Sequence, residues 1–182
     1  MFALVAPWGE RDNESLGDGE EAAVDDVDAF KATVVPLLHD DIVGLQRGDI
    51  APRLALWSPN EPVTLFGAEL NARGWDEVGP AFERLAASFT ASQSCEYEVL
   101  AAESSGDLGY VVAIEHSVAA SYRGEPEKYT LRVTTIFRRE NGEWKVVHRH
   151  GDPNDVAARD MLAKRARVFH AADGETSPVA DA

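Results

Sequence analysis

From Cys95 to Gly151 the chain reads as four strands in a row: CEYEVLAAES, LGYVVAIEHSVAASYR, EKYTLRVTTIFRRE and GEWKVVHRHG. They are rich in Val, Ile, Thr and Tyr and are separated by SSGD, GEP and NG. Connections this short suit antiparallel neighbours, because a parallel crossover takes a dozen or more residues. The chain is therefore committed to a meander, and everything before it must be arranged around that sheet.

What comes before is mostly helical. From Glu21 to Arg47 the residues Val24, Val27, Phe30, Val34, Leu37, Leu38, Ile42 and Leu45 recur at three- and four-residue spacing, the stripe of an amphipathic helix. Pro36 inside that stripe is expected to kink the helix or split its hydrogen bonding. Gly48 is its stop, and Asp49 caps a short helix that contains Pro52 and runs to Trp57. SPNEP breaks the chain, VTLFG reads as a short strand, and WDEVGPAFERLAASF reads as a helix on Val78, Phe82, Leu85 and Phe89. Helices and strands are segregated, so the fold class is α+β, with helices on one face of a curved, mostly antiparallel sheet. Residues 154–170 read as a last helix capped by Asn154 or Asp155, with basic residues near its C-terminal end.

A chain of 182 residues with 45% hydrophobic content suits one domain with a sizeable core. Its net charge of −15, from 17 basic and 32 acidic residues, argues against nucleic acid or an anionic membrane as partner. Nine of the acids fall in the first 28 residues, against Arg11 alone. Residues 1–21 are accordingly expected to be a disordered acidic leader and residues 171–182 a disordered tail. One cysteine, Cys95, excludes an internal disulfide. No run approaches the roughly 18 apolar residues of a membrane span, and MFALVAPWGERDNE lacks the pattern of a signal peptide, so a cytoplasmic location is expected. The sequence has no Gly-rich phosphate loop, no Cys-His nucleophile pair and no zinc spacing, and neither cofactor nor metal is expected.

Candidate site residues come from polar groups inside apolar strands. In GEWKVVHRHGDP, regular alternation puts Trp144, Val146, His148 and His150 on one side and Lys145, Val147 and Arg149 on the other. His148 and His150 are candidate proton handlers, or imidazoles satisfied by a carboxylate and a carbonyl where the strand leaves the core. Glu115, inside YVVAIEHSVAA, suits a base or proton donor, or an ion pair with Arg132 or Arg149 on neighbouring strands. Arg132, with Thr134 on its side of the strand, could hold a ligand carboxylate or enolate, or face a second subunit. Trp57, Phe66 and Trp75 are candidate walls for a flat apolar ligand, or plain core.

The strings LALWSPNEPVTLFG, GWDEVGPAFERLA, YVVAIEH and YTLRVTTIFRRENGEWKVVHRHGDP, over about Leu54 to Pro153, resemble the SnoaL-like branch of the nuclear transport factor 2 and ketosteroid isomerase superfamily. The closing strands are also similar to the association domain of calmodulin-dependent kinase. The resemblance implies a SnoaL-like domain over residues 22–153. It also implies a cone-shaped pocket between the concave sheet face and the long helix, and a homodimer. Two functions follow as expectations: a domain binding a small apolar or carbonyl-containing ligand, or a cofactor-independent isomerase, cyclase or dehydratase. In the second, Glu115, His148 or His150 would move protons and Arg132 or Arg149 would hold the anion. The first helix lacks the tyrosine of the isomerases, and no aspartate lies within the sheet strands as in the cyclases.

Overall fold

Helix α1 (Asp18–Gln46) lies along the inner face of a six-stranded sheet, burying Phe30, Val34, Leu38, Ile42 and Leu45. The computed structural model describes residues 18–67, 70–121, 124–156, 158–160 and 163. Pro36 does not divide α1: it sits on the exposed side, where the carbonyl it leaves unbonded can turn to water. Helix α2 (Ala51–Leu56) follows, and the Asp49 carboxylate accepts a hydrogen bond from the Ala51 N–H at 2.9 Å. Then come β1 (Thr64–Gly67), β2 (Leu70–Arg73), α3 (Trp75–Ser88), β3 (Phe89–Ser105), β4 (Leu108–Ser121), β5 (Glu127–Glu140) and β6 (Glu143–Pro153).

The strand order is β2-β1-β6-β5-β4-β3. The expected meander forms the antiparallel run β3 to β6, and β1 joins its other edge parallel to β6. Strand β2 and the first six residues of β3 go beyond the sequence reading. LNAR is too short to display a period, and after Phe89 and Thr90 the run ASQS has no branched or aromatic residue to mark a strand; each is extended because a neighbour supplies its backbone partners. Three register irregularities in β3 bend this long strand and let the sheet curve.

One irregularity rearranges the expected faces. Ile136 pairs with His148 but Phe137 pairs with Val146, so Val147 is an extra residue, a β-bulge in β6. Before the bulge Trp144 and Val146 are buried, as alternation requires; after it Arg149 and Gly151 take the buried side. His148 and His150 are thereby turned to the outer face, opposite to the expectation from regular alternation.

The main core lies between α1, α3 and the sheet, with Phe30 edge-on to Phe137 and Trp144, and Trp57 edge-on to Phe82. Beyond Pro153, Asp155 accepts a hydrogen bond from the Ala158 N–H at 2.7 Å, as a helix cap would. Most of the expected helix 154–170, the tail 171–182 and residues 1–17 of the leader lie outside the described residues; residues 18–21 belong to α1. Among the described residues, no helix is long and apolar enough to cross a membrane.

Candidate functional site

Along the inner face of β4 the side chains run Val111, Ala113, Glu115, Ser117 and Ala119, all buried. The first two belong to the main core, and the next two open a polar belt. Glu115 is 1% exposed and faces Arg149, which the bulge delivers from β6, at 2.6 Å between Oε2 and Nη2. The same Oε2 accepts from the Tyr97 hydroxyl at 3.2 Å, and Oε1 accepts from Ser117 at 3.3 Å. Gln46, in the last turn of α1, donates through Nε2 to Ser117 (3.0 Å) and Tyr129 (2.7 Å) and accepts from Ser92 (2.7 Å). A second buried pair adjoins these groups: Arg53 of α2 grips Asp41 of α1 through Nε (2.6 Å) and Nη2 (2.9 Å).

Charges this deep are tolerated only when paired and hydrogen-bonded. Burial opposes the charge on Arg149, but the Tyr97 phenol and the Glu115 and Asp41 carboxylates prevail and hold its pKa above the ordinary value. Burial, reinforced by Glu115, raises the Tyr97 phenol well above its usual range and pushes the Cys95 thiol up to about 12. Tyr97 and Cys95 therefore keep their protons at neutral pH. One donor in the belt is unmatched: Nη1 of Arg149 is buried without a hydrogen-bond partner.

Beside the belt lies a cavity of about 90 Å³. Glu115, Arg149, Gln46, Tyr129 and Arg53 supply its polar wall, and Ile42, Leu45, Leu65, Leu85, Phe89 and Leu131 its apolar one. Gly67 and Gly151 border it where β1 and β6 approach closely; a Cβ on Gly67 would lie 2.1 Å from the Gly151 carbonyl oxygen.

Of the residues singled out from sequence, Glu115 and Arg149 meet at this cavity and Phe66 borders it. His148 and His150 lie on the other face of the sheet, packed edge-on against the Phe66 ring at 5.5 and 6.4 Å. His148 Nδ1 is 2.7 Å from Thr64 Oγ1, and His150 Nε2 is 3.1 Å from Asp152. Arg132 and Thr134 share that outer face, where Arg132 donates to the Pro153 carbonyl at 3.4 Å. Trp57 is core, with its Nε1 unpartnered, and Trp75 packs on Phe82 while its Nε1 donates to the Ser58 carbonyl. Neither tryptophan borders the cavity. Sequence reasoning missed Asp41, Gln46, Arg53, Tyr97 and Ser117. For two of them a signal existed, since Asp41 and Gln46 stand at helical spacing from Leu38 and Ile42 on the apolar stripe.

Residues 34–152 match the SnoaL-like domain family. The chain matches no curated protein by sequence. Its fold is similar to that of a candidate dehydratase of the nuclear transport factor 2-like family from Streptomyces avermitilis (TM-score 0.59, 18% identity, 71% of this chain and 99% of that one). It is also similar to a nuclear transport factor 2-like protein with a cystatin-like fold from Novosphingobium aromaticivorans (TM-score 0.54, 16% identity, 80% and 97%). A third similar structure is the association domain of C. elegans CaMKII (TM-score 0.53, 15% identity, 70% and 98%). With a family match over most of the folded region and a fold shared with nuclear transport factor 2-like structures, the chain belongs to the SnoaL-like domain family.

Proposed function

We propose that this chain is a homodimeric small-molecule-binding domain whose ligand, an apolar body carrying a carbonyl-type oxygen, enters the cavity between α1 and the sheet. The unmatched Nη1 of Arg149 carries this reading. A buried guanidinium donor without a partner costs folding free energy, and an oxygen acceptor arriving at the cavity would complete it. The rest of the wall, largely Leu, Ile and Phe, suits an apolar remainder of few heavy atoms. Glu115 and Arg149 serve in this reading as ligand-facing groups. Phe66 borders the cavity, while Trp57 and Trp75 belong to the neighbouring core.

The second subunit would cover the outer face, where Val112, Ile114, Thr134 and Ile136 form a half-exposed apolar strip between Phe66, His148, His150 and Arg132. The CaMKII relative is itself an association domain, which fits that use of the sheet. A cytoplasmic location fits the free thiol of Cys95. The acid/base alternative gains less from this geometry, because the imidazoles stand across the sheet from Glu115 and both carboxylate oxygens of Glu115 already accept hydrogen bonds.

A thermal-shift screen with small ketones, amides and esters tests the reading. A binder at 100 times its dissociation constant should raise stability by about 2.7 kcal/mol, a shift of several degrees. That shift should vanish in the double variant Glu115→Gln/Arg149→Met. No shift with any compound would reject a ligand role for the cavity.

A further inference from the structure

Three buried charges line the cavity and a fourth, Asp41, pairs with one of them; given that the site binds ligands as proposed above, they bear on which oxygen group it accepts. Arg149 and Arg53 supply two positive charges, and Glu115 and Asp41 supply two negative ones. Among the described residues, the other groups at the cavity or its polar belt are Gln46 from α1, Ser92, Tyr97 and Cys95 from β3, Ser117 from β4 and Tyr129 from β5; burial keeps Tyr97 and Cys95 protonated at neutral pH. The described charges therefore balance, and Nη1 of Arg149 is left without a partner.

We infer that the cavity selects a neutral carbonyl compound, such as an amide, ketone or ester, over the carboxylate of the same shape. A neutral carbonyl accepts from Nη1 and leaves the charges balanced. A carboxylate accepts equally well, but it brings a third negative charge beside Glu115 and Asp41 in a desolvated pocket, where no cation among the described residues is left to compensate it. Glu115 is thus more than a clamp for Arg149, because its charge prevents the guanidinium from acting as a carboxylate receptor. Arginine at a carboxylate-binding site ordinarily offers its fork to the ligand; here Nη2 is already committed to the protein's own carboxylate.

The test compares isobutyramide with isobutyrate by NMR chemical-shift titration of the wild-type protein at pH 7.5 and pH 5.5. Isobutyramide should bind with the same affinity at both. Isobutyrate should bind at least tenfold more weakly at pH 7.5, and its apparent affinity should rise about tenfold per pH unit on acidification, because only the protonated acid enters. In Glu115→Gln, where the site carries a net positive charge, the preference should invert, and isobutyrate should raise the melting temperature more than isobutyramide does. The wild-type pH series does not depend on that variant folding. Equal or tighter binding of isobutyrate at pH 7.5 would overturn the charge-selection inference while leaving the binding function intact. If neither compound perturbs residues around the cavity, the binding function itself is rejected, and the inference with it.

Discussion

Glu115 and Arg149 are more costly to separate than to remove together. Replacing Glu115 by Gln leaves a buried guanidinium without its carboxylate and should destabilise the fold by about 3 kcal/mol in urea or thermal unfolding. The double variant Glu115→Gln/Arg149→Met removes both charges and should recover most of that loss, a coupling readable in a double-mutant cycle. A double variant no more stable than the single would mean that the pair is not what holds Arg149 in place. At this scale the sequence was informative about Glu115, whose carboxylate interrupts an apolar strand, and it left Arg132 and Arg149 as equal partners. The choice between them depends on which face of β6 Arg149 takes after Val147, and the bulge there reverses the answer that regular alternation gives.

The strands of the meander and the two longer helices were legible because each repeats its period several times within its own length. Strand β2, the start of β3 and the bulge in β6 were not, for a common reason: each depends on a neighbouring strand rather than on its own residues. VVHRH contains no Gly or Pro to announce a bulge. The junction of β1 and β6 depends on a neighbour in the same way. Gly67 has φ +112°, and its missing side chain lets β1 approach Gly151. Gly67→Ala should therefore cost about 2 kcal/mol or more in stability, from backbone strain and the displaced strand. Because both glycines border the cavity, ligand-induced stabilisation should fall with it. An unchanged melting temperature in Gly67→Ala would show that β1 can withdraw from β6 freely.

For the whole molecule, the proposed second copy brings the histidines into play. Burial and the neighbouring His150 hold the His148 pKa below its usual 6.5. A base with a depressed pKa favours the structure that buries it above that ordinary value and penalises it as pH falls through the window below. His150 with Asp152, His116 with Glu98, and Arg132 are among the other ionisable groups on this face, with Glu96, Lys128 and Arg138 further along it. A second copy covering this face would bury His148 further and lower its pKa again, so sedimentation should show the dimer weakening on going from pH 8 to 5.5, by about tenfold in dissociation constant, and His148→Gln should flatten that slope. A monomer at every pH would exclude the outer face as an interface. The bulge at Val147 also works as a reading frame for this part of the protein. Were Val147 paired in regular alternation instead of bulged, the string HRH would present its imidazoles to the interior and its guanidinium to the outside. A relative with the same fold can thus exchange the chemistry of the pocket and of the outer surface by forming or flattening a bulge, with no substitution at either site.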